Sequence, residues 1–148
     1  MNEIAVSFTD ASNSNNPKVR ILVVDDEPDI LLALSIILEG QGHYVKTFDN
    51  PVEALSHLTS NNGVTPYDLV ITDYRMPGSG MSGIDLAKRV KEFTQRKTKV
   101  FLMSGSVNAW SLPEEFAQAL ESKIVDEFIQ KPIPSDKLIA VVEGEFLK

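Results

Sequence analysis

Cysteine is absent from this chain, which excludes disulfides and thiolate metal sites while leaving the redox compartment open. A surplus of positive charge is missing too: 14 Lys and Arg stand against 21 Asp and Glu, for a net charge of −7. Phosphate backbones are held by clustered basic side chains, so direct nucleic-acid binding is disfavoured. The basic cluster Lys88, Arg89, Lys91, Arg96, Lys97 and Lys99 is broken by Glu92, and is expected to form the solvated face of a helix and the loop after it. Nowhere do apolar residues run on for the roughly 18 positions that a membrane span requires. The start, Met1-Asn2-Glu3-Ile4, lacks the basic beginning and apolar centre of a secretory signal. No membrane partner is therefore expected, and the cytoplasm is the default location.

What is present is an alternation. At 148 residues the chain has the size of one compact domain and no room for a second. Residues 1–17 end in Ala11-Ser12-Asn13-Ser14-Asn15-Asn16-Pro17, and this polar, breaker-rich stretch reads as a mobile tail. From Lys18 onward, apolar runs of strand length are followed by segments of helical spacing, five times over. The runs are Val19 to Val24, Tyr44 to Phe48, Leu69 to Thr72, Val100 to Met103 and Glu127 to Gln130. Such alternation predicts βα units around a parallel sheet with right-handed crossovers.

The helices carry their own start signals. Pro28 suits a first turn, and Ile30, Leu31, Leu34, Ile37 and Leu38 repeat behind it until Gly40 and Gly42. Asn50-Pro51 announces the second helix, with Val52, Leu55 and Leu58 on one face. Ile84, Ala87 and Val90 form the inner stripe of the third. Between Ser104 and Lys131 the pattern weakens, predicting a shorter or less regular fourth helix. Ser135 reads as the cap of the last, which presents Leu138, Ile139, Val142 and Phe146.

Chemistry gathers at the strand ends. Asp25 with Asp26, then Asp73, Ser104 and Lys131 each follow an apolar run, and the carboxyl ends of parallel strands converge on one edge where ligands bind. Adjacent carboxylates at such an edge repel one another unless a cation offsets them. Three carboxylates with few nitrogen ligands suit Mg²⁺, a hard cation that shares its site with water and phosphate oxygens. A carboxylate flanked by that ion and by the Lys131 ammonium can act as a nucleophile toward phosphorus, and Ser104 can donate to a phosphoryl oxygen. Each of these residues alone is more often a solvated loop residue, a cap or a turn than a ligand. The whole set, in order and each at a strand end, makes the functional reading the stronger one.

Val23-Val24-Asp25-Asp26-Glu27, Asp73-Tyr74-Arg75-Met76-Pro77-Gly78, Met103-Ser104-Gly105 and Phe128-Ile129-Gln130-Lys131-Pro132 together resemble the receiver domain of two-component response regulators, over Lys18 to Lys148. The resemblance implies a flavodoxin-like (βα)5 doubly wound parallel sheet of strand order 2-1-3-4-5. It implies phosphorylation of Asp73 by a sensor histidine kinase or phosphotransfer protein. Mg²⁺ would be bound directly by Asp26, Asp73 and the Arg75 backbone carbonyl, and by Asp25 through water. Ser104 and Phe128 stand in the switch positions, although Phe128 can equally be an ordinary core residue. A cis peptide is implied between Lys131 and Pro132, and Arg75 and Ser106 occupy the positions that tune dephosphorylation.

The loop Pro77-Gly78-Ser79-Gly80-Met81-Ser82-Gly83 and the segment from Ser104 to Lys131 both look longer than the family pattern. Only 17 residues follow Lys131, so a single-domain regulator is expected, acting on a downstream protein or through a relay, as a monomer or a weak phosphorylation-linked dimer. Two rivals remain: a pseudo-receiver with an inactive site, and a phosphatase that forms an aspartyl phosphate. The second is weakened because the usual general-acid position, two residues after Asp73, holds Arg75.

Overall fold

A computed structural model describes residues 18–60, 66–105 and 113–147; the tail assigned to residues 1–17, and Ser106, lie outside them. Among the described residues five strands alternate with five helices: β1 Arg20–Val24, α1 Pro28–Gly40, β2 Tyr44–Phe48, α2 Pro51–Leu58, β3 Leu69–Asp73, α3 Gly83–Thr94, β4 Lys99–Ser104, α4 Glu114–Glu121, β5 Glu127–Gln130 and α5 Ser135–Phe146. The strands form one parallel sheet in the order β2-β1-β3-β4-β5, the doubly wound flavodoxin-like arrangement. Register places Val24 beside Thr72, and Asp73 beside Met103. The acids that follow β1 and end β3 therefore reach the same edge.

The period of two along each strand divides the apolar residues between two layers. Ile21, Val23, Ile71, Phe101 and Met103 face α1 and α5 and meet Leu31, Leu34, Leu38, Leu138 and Val142. Leu22, Val24, Val70, Val100 and Leu102 face α2, α3 and α4, meeting Leu58, Ile84, Val90 and Phe116. With both faces covered, the central strands read as continuous hydrophobic runs, which is why they stand out in the sequence.

Local signals set the helix starts. Asn50 Oδ1 accepts from the backbone N–H of Val52 at 2.8 Å and of Glu53 at 3.2 Å, and Pro28 and Pro51 fill first-turn positions whose N–H has no helical partner. Ser82 and Asp85 form a reciprocal capping box at α3. Behind it the chain turns sharply: a Cβ on Gly83 would lie 2.2 Å from the Asp73 carbonyl oxygen and 2.8 Å from Leu102, so only glycine lets α3 start this close to the end of β3.

The structure departs from expectation in two places, Ser135 and Lys91. Ser135 is the first helical residue of α5, not its cap, and Pro134 occupies the cap position without a side-chain bond. The fourth helix is short as expected, two turns of 8 residues. Lys91 is not on the solvated face: it is 4% exposed, and its ammonium donates to the Thr98 carbonyl at 2.8 Å and pairs with Asp126. A second Asp126 contact, from the Val100 N–H to Oδ2 at 2.9 Å, ties the amino ends of β4 and β5 together at the edge remote from the acids. Among the described residues no helix is long and apolar enough to cross a membrane.

Candidate functional site

At the carboxyl edge, Asp26, Glu27, Asp73, Arg75, Pro77, Ser104, Gly105 and Lys131 line a cleft of about 390 Å³. Asp25 lies beneath its floor, fully buried. One Asp25 oxygen accepts the Glu27 N–H at 2.9 Å, and the other accepts from Lys131 Nζ at 2.9 Å. Lys131 Nζ also donates to Asp73 Oδ1 at 3.2 Å. One ammonium thus bridges carboxylates delivered by β1 and β3, from a residue delivered by β5. Ser104, buried at the end of β4, receives the Lys131 N–H on its backbone carbonyl at 3.0 Å, which fixes the two strand ends together. The Lys131–Pro132 peptide is cis.

The electrostatics follow from crowding. Burial and then the neighbouring Asp25 charge raise the Asp73 pKa from 3.8 to about 6, Asp26 adding to the rise and Lys131 opposing it. At neutral pH most of the Asp73 carboxylate is ionised, and a cation in the cleft would relieve its repulsion with Asp25 and Asp26. Burial works against the Lys131 ammonium, but the hydrogen bond and charge of Asp25, then those of Asp73, outweigh it and hold its pKa above the ordinary lysine value.

The acids fit a hard divalent cation. Asp25, Asp26 and Glu27 can each bring one oxygen within 4.8 Å of the others, an all-oxygen set with no competing soft donor. Glu27 was not among the ligands expected from the sequence, although its place directly after two acids was a visible signal. Because both Asp25 oxygens are already engaged, the exposed Asp26 and the cleft-facing Asp73 are the better placed for direct contact.

Around this centre the remaining candidates separate. Arg75 is exposed on the rim, its guanidinium 5.9 Å from the Tyr74 ring centre. Phe128 is half-buried, 5.4 Å from Phe116, whose ring in turn meets Tyr74 edge-on at 4.6 Å. Sequence reasoning missed Tyr74 and Phe116 as members of this row, since only the fold brings β3, α4 and β5 together there. The long loop is ordered: Gly78 and Gly80 adopt positive φ, and the Ser79 hydroxyl lies 2.6 Å from the Met76 carbonyl oxygen and 2.9 Å from that of Met81.

With the geometry established, comparison with known proteins is informative. The family model for the response regulator receiver domain matches residues 21–143. The two-component response regulator ORR3 of Oryza sativa subsp. indica is 34% identical over 121 residues, covering 81% of this chain and 86% of that protein. The sensor histidine kinase GacS of Pseudomonas protegens is 31% identical over 83% of this chain, which spans only 13% of that protein's length. A response regulator receiver domain protein from Clostridium thermocellum superposes with a TM-score of 0.69 at 29% identity, over 88% of this chain and 99% of that one.

Proposed function

This chain belongs to the response regulator receiver domain family, and on that premise we propose that Asp73 accepts a phosphoryl group from a phosphohistidine donor and that the cleft holds Mg²⁺. The observation that carries the reading is the Lys131 ammonium shared between Asp25 and Asp73 at the floor of the cleft. An Asp73 carboxylate oxygen forms a bond to phosphorus, the phosphorus–nitrogen bond of the donor breaks, and its electron pair returns to the imidazole, which takes up a proton. Lys131 faces the charge that develops on the phosphoryl oxygens, where positioning and electrostatics supply most of the catalysis. Asp26 and Asp73, with the Arg75 carbonyl and the Asp25 and Glu27 carboxylates nearby, would hold Mg²⁺, which when bound adds positive charge beside those same oxygens. The Ser104 hydroxyl donates to one of them, and the half-buried Phe128 ring moves into the space that Ser104 leaves.

The donor class is supported by the relatives, which include sensor histidine kinases and response regulators. Output then comes from a protein that binds the altered surface, or from onward transfer of the phosphoryl group. The exposed Arg75 guanidinium on the rim supports shielding of the acyl phosphate from water and hence slow self-dephosphorylation.

Incubation with acetyl phosphate and Mg²⁺ tests the proposal. The expected result is a mass gain of one phosphoryl group that disappears in Asp73→Asn. No gain in the unaltered chain points to a pseudo-receiver, and continuous phosphate release from varied esters points to a phosphatase.

A further inference from the structure

Helix α4 is held in an unusual way for so short an element. Its 8 residues make two turns, and its cap position, Pro113, contributes no side-chain hydrogen bond. A helix of that length has little stability of its own. Phe116 and Ala119 are its buried contacts, and Phe116 is inserted between Tyr74 and Phe128. Polar tethers hold its two ends: at the C-cap Arg96 Nη1 donates to the Ser122 carbonyl at 3.2 Å, and at the first turn the Tyr74 hydroxyl donates to Glu115 Oε1 at 2.7 Å. Tyr74 directly follows Asp73, and its main chain is fixed on both sides, its N–H donating to Met103 and its carbonyl accepting from Gly83. The backbone beside the phosphoacceptor is therefore rigid, and the phenol that springs from it reaches 41 residues along the chain to the first turn of α4.

Building on the phosphoacceptor reading, we propose that the Tyr74–Glu115 hydrogen bond is a latch that holds α4 in its unphosphorylated position and opens when Asp73 is phosphorylated. This connection runs alongside Ser104 and Phe128. Phe128 has no hydroxyl, so the polar tether in the aromatic row sits at its other end, on Tyr74. Two forces act on that tether. A phosphoryl group adds roughly two negative charges at the neighbouring residue, and these draw the Arg75 guanidinium from the Tyr74 ring toward the cleft it already lines. Movement of Phe128 shifts Phe116, the ring against which Tyr74 leans.

Amide hydrogen exchange over residues 113–121, followed by mass spectrometry with and without acetyl phosphate and Mg²⁺, reads the latch directly. Without phosphate, Tyr74→Phe and Glu115→Ala each raise exchange in that segment about fivefold, the effect of losing one net hydrogen bond. Glu115→Gln, whose amide oxygen still accepts from the phenol, keeps the original rate, and exchange in residues 135–146 stays unchanged in all three. Phosphorylation raises exchange in the unaltered protein to the level of the two open variants, which respond no further. Original rates in both Tyr74→Phe and Glu115→Ala, or a phosphorylated protein whose 113–121 segment exchanges as before, overturn the latch. Failure to gain a phosphoryl group overturns the phosphoacceptor reading and the release step together, and intact mass on the same sample separates that result from a latch that does not open.

Discussion

Lys131 lies closer to Asp25 than to Asp73: its ammonium is 2.9 Å from the buried Asp25 carboxylate and 3.2 Å from that of Asp73. The lysine therefore pairs first with the carboxylate that cannot reach solvent, and more loosely with the one that faces the cleft. Removing it strands Asp25 with the Glu27 N–H alone. Breaking a buried pair from one side costs about 3 kcal/mol, so Lys131→Ala should unfold at distinctly lower urea concentration and should recover more stability on adding Mg²⁺ than the unaltered protein does.

Asp73 makes the metal-free protein sensitive to pH. Its folded pKa of about 6 exceeds the ordinary 3.8, so the folded state holds its proton more tightly than the unfolded state. This group's contribution to stability is fully present below about pH 4 and is lost as pH rises through 6, by on the order of 3 kcal/mol. Urea titrations of Asp73→Asn between pH 4 and pH 7.5 should lack this decline, and Mg²⁺ should offset it in the unaltered protein. Parallel pH profiles for the two proteins would contradict the assignment.

His43 contributes with the opposite sign. It is buried, and neither ring nitrogen has a hydrogen-bond partner among the described residues. Burial, helped by the Lys18 charge and opposed by Glu143, lowers its pKa below 6.5. The unfolded chain thus binds the proton better, and stability present above pH 6.5 is lost on acidification through the folded pKa. His43→Leu removes this acid limb and, by eliminating an unsatisfied buried group, raises stability at pH 7.5 by about 1 kcal/mol. Thermal melts across pH 5 to 8 check both effects.

Gly83 has no space for a methyl group. Gly83→Ala forces its Cβ against the Asp73 carbonyl and Leu102, an overpacking expected to cost about 3 kcal/mol. Phosphoryl uptake from acetyl phosphate should fall with it, since the strained peptide is that of Asp73, the proposed nucleophile. Full uptake with an unchanged melting temperature would refute the close-approach role.

Arg75 on the rim gives a kinetic prediction. Arg75→Ala should shorten the lifetime of the phosphorylated protein several-fold while leaving the extent of initial uptake near that of the parent. An unchanged lifetime, measured by loss of the phosphoryl mass after acetyl phosphate is removed, would show that the guanidinium does not screen the acyl phosphate.

The sequence made the sheet visible because both of its faces are covered, so β1, β3 and β4 are uninterrupted apolar runs with the reactive residues directly behind them. Proline and asparagine at the starts of α1 and α2 were equally clear, because a missing N–H and a short carbonyl side chain act locally. What depended on distant partners was hidden. Lys91 looked like one more surface cation until the strand order set β5 beside β4 and brought Asp126 to it, and Ser135 looked like a cap because Pro134, which holds that position, has no side-chain acceptor to mark it. Tyr74 gave no signal either, since its partner Glu115 stands on a helix that the sequence predicts poorly.

The tight seat of Gly83 behind Asp73 decides in which direction the site can give way. The main chain of Asp73 is backed by the first turn of α3 as by a wall, so bulk added to its carboxylate could not be accommodated by retreat. The direction left open is sideways, toward the ends of β4 and β5 and the helix between them. The same contact that limits one residue to a hydrogen side chain thereby gives the domain a preferred axis of response.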